Sequence, residues 1–185
     1  MNGSLYLSPV DPEDLPDLGS ISESLCELQV SGPLLSEAPG KLVYAAGSGF
    51  PRHVIYAGCS PHLRFEPEGP HDRDFCHVAL LGPYPKPGVI TGENTVTPRC
   101  PACRKRLSSW QEHLHTGKLS CQSCGLVSDA WAVDWRQHAA SGRLFIELRN
   151  VFPGEASPSD LFMSTLNEAT GMPWAYSWAG MSPAP

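Results

Sequence analysis

Residues 99–127 read Arg-Cys-Pro-Ala-Cys-Arg-Lys-Arg-Leu-Ser-Ser-Trp-Gln-Glu-His-Leu-His-Thr-Gly-Lys-Leu-Ser-Cys-Gln-Ser-Cys-Gly-Leu-Val. Two Cys-x2-Cys pairs, Cys100/Cys103 and Cys121/Cys124, stand 17 residues apart. Each pair forms a tight turn that aims two sulfurs at one point. A folded-back connection brings two such turns together as a tetrahedron of soft anionic ligands. The spacing is that of a four-thiolate zinc site. Four thiolates fill the coordination sphere, leaving no position for water or substrate, so the implied metal is structural. Two disulfides, or four unrelated thiols, are the alternatives.

Local detail supports the metal. Pro101 stiffens the first turn, and Gly125 follows the last cysteine, where a left-handed residue lets amides point at sulfur. Thr116-Gly117 reads as a turn and Lys118–Ser120 as a short strand entering the second pair. From about Arg99 to Val127 the segment resembles a zinc ribbon. The resemblance covers roughly a sixth of the chain. It implies metal binding but no reaction, because ribbons serve as nucleic-acid readers, protein docking modules and inert staples alike.

The remaining 156 or so positions set the context. A 185-residue chain accommodates one ordinary domain plus a small module. Its 19 prolines and 17 glycines exceed ordinary usage, predicting many turns and no long helices. No apolar run approaches the ~20 residues of a membrane helix. The start, Met-Asn-Gly-Ser-Leu-Tyr-Leu-Ser-Pro, lacks the basic and apolar regions of a secretory signal. Seven cysteines, four of them in metal pairs, fit a reducing compartment, and the expected location is cytoplasmic. The net charge of -6 is uneven: residues 99–118 hold five basic side chains and one acidic, whereas residues 1–98 hold 12 acidic and five basic. The only positive stretch therefore lies on the ribbon.

The expected fold class is α+β, β-rich with short helices and an inserted four-cysteine zinc ribbon. Residues 1–20 read as an acidic, Pro-rich segment held loosely at most. Residues 21–98 read as β-rich after a short helix from Ile21 to Val30 capped by Ser20. Strands are expected at 41–45, 53–57, 62–66 and 75–81, and residues 82–98 as an extended linker. Residues 99–127 are the ribbon, and residues 128–185 a β-α-β part packing with 21–98. In that part Asp129–Arg136 alternates like a strand, Ser141-Gly142 reads as a turn, and Leu144-Phe-Ile-Glu-Leu148 is the strongest strand signal. Ser159 caps a helix with an apolar stripe of Leu161, Phe162 and Leu166, ended by Gly171. Trp174, Tyr176 and Trp178 alternate as a last strand, expected to pair with 144–148 beneath that helix.

Chemistry beyond the metal is weakly marked. Arg104, Lys105, Arg106 and Lys118 could grip phosphate, and Trp110 could stack on a base, the pattern of a nucleic-acid contact. His71-Asp-Arg-Asp-Phe-Cys76-His77 is dense in acid-base groups, but a nucleophile needs partners that spacing alone does not supply. Asp134 and His138 stand four apart, the spacing of a surface ion pair. Ser48 lacks the first glycine of a hydrolase elbow, and there is no phosphate loop or dinucleotide fingerprint. Cys26, Cys59 and Cys76 have no evident role. The leading expectation is a zinc-binding, non-catalytic adaptor for a protein partner. A nucleic-acid-associated ribbon and an enzyme with a site near 71–77 stand as alternatives.

Overall fold

The computed structural model describes residues 3–57, 63–69, 72 and 74–180. Its elements, in chain order, are β1 (Gly3–Pro9), α1 (Leu18–Glu27), β2 (Ser31–Ala38), β3 (Lys41–Ala46), α2 (Phe50–His53), β4 (Val54–Tyr56), β5 (His77–Leu81) and β6 (Gly88–Ile90). They continue with α3 (Trp110–His113), β7 (Lys118–Ser120), β8 (Val127–Asp129), β9 (Ala140–Gly142), β10 (Phe145–Val151), β11 (Ala156–Pro158), α4 (Asp160–Thr170) and β12 (Trp174–Gly180). The fold is α+β and β-rich. No helix among the described residues is long and apolar enough to cross a membrane.

An antiparallel six-stranded sheet in the order β12-β1-β10-β5-β3-β2 organises the molecule. Successive side chains on a strand point to opposite faces, so each strand divides its residues between two layers. One layer holds Leu5, Leu7, Val78, Leu80, Ile146 and Leu148. On it pack Ile21 and Leu25 of α1 and Phe162 and Leu166 of α4, all within one buried cluster. The other layer takes Ser4, Tyr6 and Ser8 from β1, and Phe145 and Glu147 from β10, with β6 and β9 lying over part of it.

The start of the chain corrects the expectation of a loose terminus. All seven residues of β1 are buried, and the strand is inserted between β10 and β12. Its acids come later, at Asp11, Glu13, Asp14 and Asp17; Gly3–Pro9 itself carries none, so apolar burial there outweighs ordering entropy. The same insertion corrects the last strand: β12 pairs with β1 from Gly3↔Gly180 to Pro9↔Trp174, and β1 separates it from β10. The β12 tryptophans do meet the helix side. Trp174 Nε1 donates to Thr170 Oγ1 of α4 at 2.9 Å, and Trp178 Nε1 to the Ala156 carbonyl at 2.6 Å.

Smaller departures have local causes. α1 starts at Leu18, because Asp17 rather than Ser20 caps it, accepting the Ser20 amide at 2.8 Å. That bond holds the Asp17 carboxyl below its ordinary value. α4 begins and ends as its sequence indicates, with Ser159 Oγ accepting the Phe162 amide and Gly171 left-handed at φ 67°. Leu161, however, faces solvent. Residues 63–66 form no strand, although Leu63 and Phe65 pack on the core. Gly88–Ile90 within the expected linker, and Ala140–Gly142 at the expected turn, pair with each other as strands. Asp129–Arg136 is not one strand: β8 ends at Asp129 and a 3-10 turn occupies Ala130–Ala132.

Leu5→Ala or Leu7→Ala should cost about 2–5 kcal/mol by urea unfolding, against less than about 0.5 for Leu35→Ala on the exposed β2. Equal effects at the three positions would mean that β1 is not core. Stability should also fall on mild acidification. Burial pushes the His53 and His77 imidazoles down, so below about pH 6.5 the unfolded chain takes up protons that the folded one refuses. Stability then drops until the folded histidines titrate as well. His53→Gln/His77→Gln should flatten that slope between about pH 7 and 5 in urea midpoints.

Candidate metal centre

The two cysteine turns are built alike. In each, the first cysteine amide donates to the carbonyl five residues on, Cys100 to Lys105 at 2.9 Å and Cys121 to Leu126 at 2.8 Å. In each, the amide four residues on donates back, Arg104 to Cys100 at 3.0 Å and Gly125 to Cys121 at 2.8 Å. The residue after the second cysteine is left-handed both times, Arg104 at φ 62° and Gly125 at φ 74°. Gly125 meets the expectation; Arg104 adopts the same conformation with a side chain, at some strain. Gly117 (φ 71°) turns the chain between α3 and the β7–β8 hairpin, as its sequence indicates.

This twofold geometry brings the sulfurs together. The ligand atoms of Cys100, Cys103, Cys121 and Cys124 all lie within 4.8 Å of one another. Cys100 Sγ is 3.7 Å from Cys124 Sγ, and Cys103 Sγ is 3.5 Å from Cys121 Sγ. A tetrahedron with metal–sulfur bonds of 2.3 Å has edges of about 3.8 Å, so the four thiols fit an ion at their centre. The cysteines are free thiols, which removes the disulfide alternative. Amides of Cys124 and Ser123 aimed at the Cys121 sulfur pull that thiol down to about 6, aided by the Cys103 thiol. The Leu126 amide pulls Cys124 in the same direction, but the thiols of Cys103, Cys121 and Cys100 push it up to about 12. Four thiols cannot all ionise in so small a volume without a cation; a divalent ion removes that repulsion.

A small core of its own supports the cysteines. Cys100 and Cys121 are buried with Leu107, Trp110, Leu119, Ala130, Val133, Trp135 and Ala139, and Trp110 meets Trp135 edge-on at 5.2 Å between ring centres. Asp134 ties this lobe to residues 99–106. It exchanges two backbone hydrogen bonds with Arg99, at 2.9 and 3.1 Å, and its carboxylate pairs with Arg104 at 2.9 Å. The spacing argument paired Asp134 with His138 instead; the partner came from across the lobe.

Two of the basic residues are engaged in ion pairs. Arg104 is paired with Asp134, and Lys118 with Asp129 at 2.7 Å. Trp110 is buried against Trp135, so its faces are not offered to a base. Lys105 and Arg106 are exposed. Beside the second knuckle, Leu126 and Val127 are exposed apolar side chains.

Near 71–77, His71 and Arg73 lie outside the described residues, as does Cys59. Cys76 is buried, and burial pushes its thiol up to about 11, so it is no ready nucleophile. His77 lies on β5 with Nδ1 donating to the Phe75 carbonyl. Asp72 serves the loop, bonding Arg64 and the Glu68 and Asp74 amides. The polar group that sequence reasoning missed is Glu147, 3% exposed in the middle of β10. Ser4 Oγ and Tyr6 Oη donate to its Oε1 at 2.6 and 3.0 Å, with Arg149 Nη1 at 3.4 Å. Burial, then the Glu147 charge, raises the Tyr6 phenol far above its ordinary value, so Tyr6 stays a donor. A charge inside the apolar run Leu144–Leu148 was the available signal. The chain matches no protein-family model, no curated protein and no solved structure with which it was compared.

Metal analysis of the purified chain should give one bound ion, and Cys121→Ser should release it and expose the Trp110–Trp135 cluster to solvent, seen as a red shift in tryptophan emission. Affinity should fall as pH falls, because protons compete for the thiolates. A metal-free protein with a native emission spectrum would remove the metal from the fold.

Proposed function

We propose that Cys100, Cys103, Cys121 and Cys124 hold one structural Zn²⁺, and that the chain is a non-catalytic interaction module whose partner is a protein. Convergence of the four thiols carries the first half of this reading. Thiolate ligands and tetrahedral edges favour zinc among common divalent ions, and a filled sphere leaves the ion no catalytic position. Thiols kept free for metal suit a reducing interior such as the cytoplasm.

The choice of partner rests on what the lobe exposes. A nucleic-acid grip needs unpaired cations and open aromatic faces. Here Arg104 and Lys118 are occupied by aspartates and Trp110 is buried. Leu126 and Val127 instead form an apolar spot, with Lys105 and Arg106 exposed on the matching first knuckle. An apolar centre with a charged rim is the anatomy of a protein contact. The nucleic-acid reading keeps one supporting observation, the exposure of Lys105 and Arg106 in the chain's only basic stretch.

Leu126→Glu/Val127→Glu should retain zinc and melting temperature yet lose a protein partner captured by the wild type from its own cells, with capture unaffected by nuclease. Anisotropy with a single-stranded oligonucleotide should show no saturable binding at low salt. Binding that fades with added salt and is lost in Lys105→Ala/Arg106→Ala would replace the protein reading with the nucleic-acid one.

A further inference from the structure

A cavity of about 150 Å³ lies against the sheet face that carries Glu147. Ser4 and Tyr6 of β1, Glu147 and Arg149 of β10 and Gly180 of β12 line it, together with the half-buried Thr91 just after β6. Ser4, Tyr6 and Glu147 are 2%, 8% and 3% exposed, so its floor is made of polar side chains that the fold has taken out of water. None of the lining residues falls within 99–127. The site is therefore separate from the cysteine lobe and does not depend on what the lobe's tip meets.

Within the protein, every bond to the Glu147 carboxylate falls on one oxygen. Oε1 accepts Ser4 Oγ at 2.6 Å and Tyr6 Oη at 3.0 Å, and meets Arg149 Nη1 at 3.4 Å. Oε2 accepts nothing from the described residues. Nor is it sealed from solvent, as the unpartnered Tyr56 hydroxyl is, so it opens on the cavity. An ionised carboxylate offers about four acceptor positions, and those of buried groups are ordinarily filled. A charge is also costly to keep in a sheet interior, where an apolar residue would pack without that penalty. A buried carboxylate filled on one oxygen and open to a cavity on the other marks a place where a donor arrives from outside the fold.

We propose that this cavity binds a small neutral polyol, one hydroxyl of which donates to Glu147 Oε2 while the Thr91 side chain supplies a second polar contact. The open position is an acceptor, so the ligand brings the proton, which a bare anion does not have. The Arg149 guanidinium already balances the Glu147 charge. A cationic ligand would therefore add an uncompensated buried charge, whereas a hydroxyl adds none. Hydroxyls both donate and accept, which suits a wall made of a carboxylate and a threonine. The space is that of roughly five waters, enough for a three-carbon polyol and too small for an ordinary cofactor.

The test is an amide-shift titration of the zinc-loaded full chain with glycerol, with ethylammonium as a cation of similar size, and with acetate. Glycerol should give saturable shifts at Tyr6, Thr91 and Gly180, and the two ions none there. Glu147→Gln leaves one oxygen for Ser4 and Tyr6 but puts an amide donor where the ligand's hydroxyl would donate. It should fold and weaken glycerol binding about tenfold. Thr91→Val leaves the buried network untouched, keeps the test decisive should Glu147→Gln unfold, and should weaken binding about threefold. No saturable shift by about 100 mM means a cavity that holds water alone, and overturns the proposal. So does binding unchanged in either variant. A stronger response to ethylammonium or acetate than to glycerol overturns the assignment to a neutral polyol.

Discussion

The pairing of β1 with both β10 and β12 is the constraint on which the sheet depends. A strand from the first residues must find partners that begin more than 130 positions later. Closing so long a loop costs entropy before the contacts offset it. The compensation is concentrated, because Leu5 and Leu7 enter the main core while Ser4 and Tyr6, on the opposite face, donate hydrogen bonds to the buried Glu147. Without β1, Glu147 would lose its two hydroxyl donors, and β12 the one strand it pairs with among the described residues.

The cysteine lobe is joined to this sheet through few but specific links. Gln137 makes two of them, its carbonyl accepting the Trp178 amide and its side chain donating to the Tyr176 carbonyl, while Asp134 holds the lobe itself together, its backbone paired with Arg99 and its carboxylate split between Arg104 and the Arg136 amide. Trp135, next in sequence, sits in the lobe's core, and Gln137, two further on, caps the β12 edge. One short segment therefore touches the metal knuckle, the lobe core and the sheet. The strain at Arg104 has the same logic: the left-handed turn that a glycine would adopt freely carries here the side chain that holds Asp134.

The sequence was most legible where a local rule decides the structure. Cysteine spacing located the four-thiol cluster, Ser159 and Gly171 bracketed α4, and the apolar runs at 41–45 and 144–148 became the strands Lys41–Ala46 and Phe145–Val151. It was least legible where a distant partner decides. Nothing within Gly3–Pro9 reveals that it fills the gap between β10 and β12. Glu147 looks like a solvent-facing interruption until Ser4 and Tyr6 are placed opposite it. Trp110 reads as an exposed stacking ring until Trp135 is seen against it. The alternation of Trp131, Val133 and Trp135 was real, but a 3-10 turn at Ala130–Ala132 broke the strand it suggested.

The register Gly3↔Gly180 places the two ends of the β1–β12 pair side by side. The order in which the elements are threaded is therefore separable from the architecture they build. A short linker from the end of β12 to the start of β1 would join them as a hairpin. New ends could then be opened at Gly40, the left-handed residue turning β2 into β3, where the sheet edge is exposed. Such a circularly permuted chain keeps every strand pairing and exchanges which one is distant: β1 and β12 become a hairpin, while β2 and β3, a hairpin in the present order, come to stand at opposite ends of the chain.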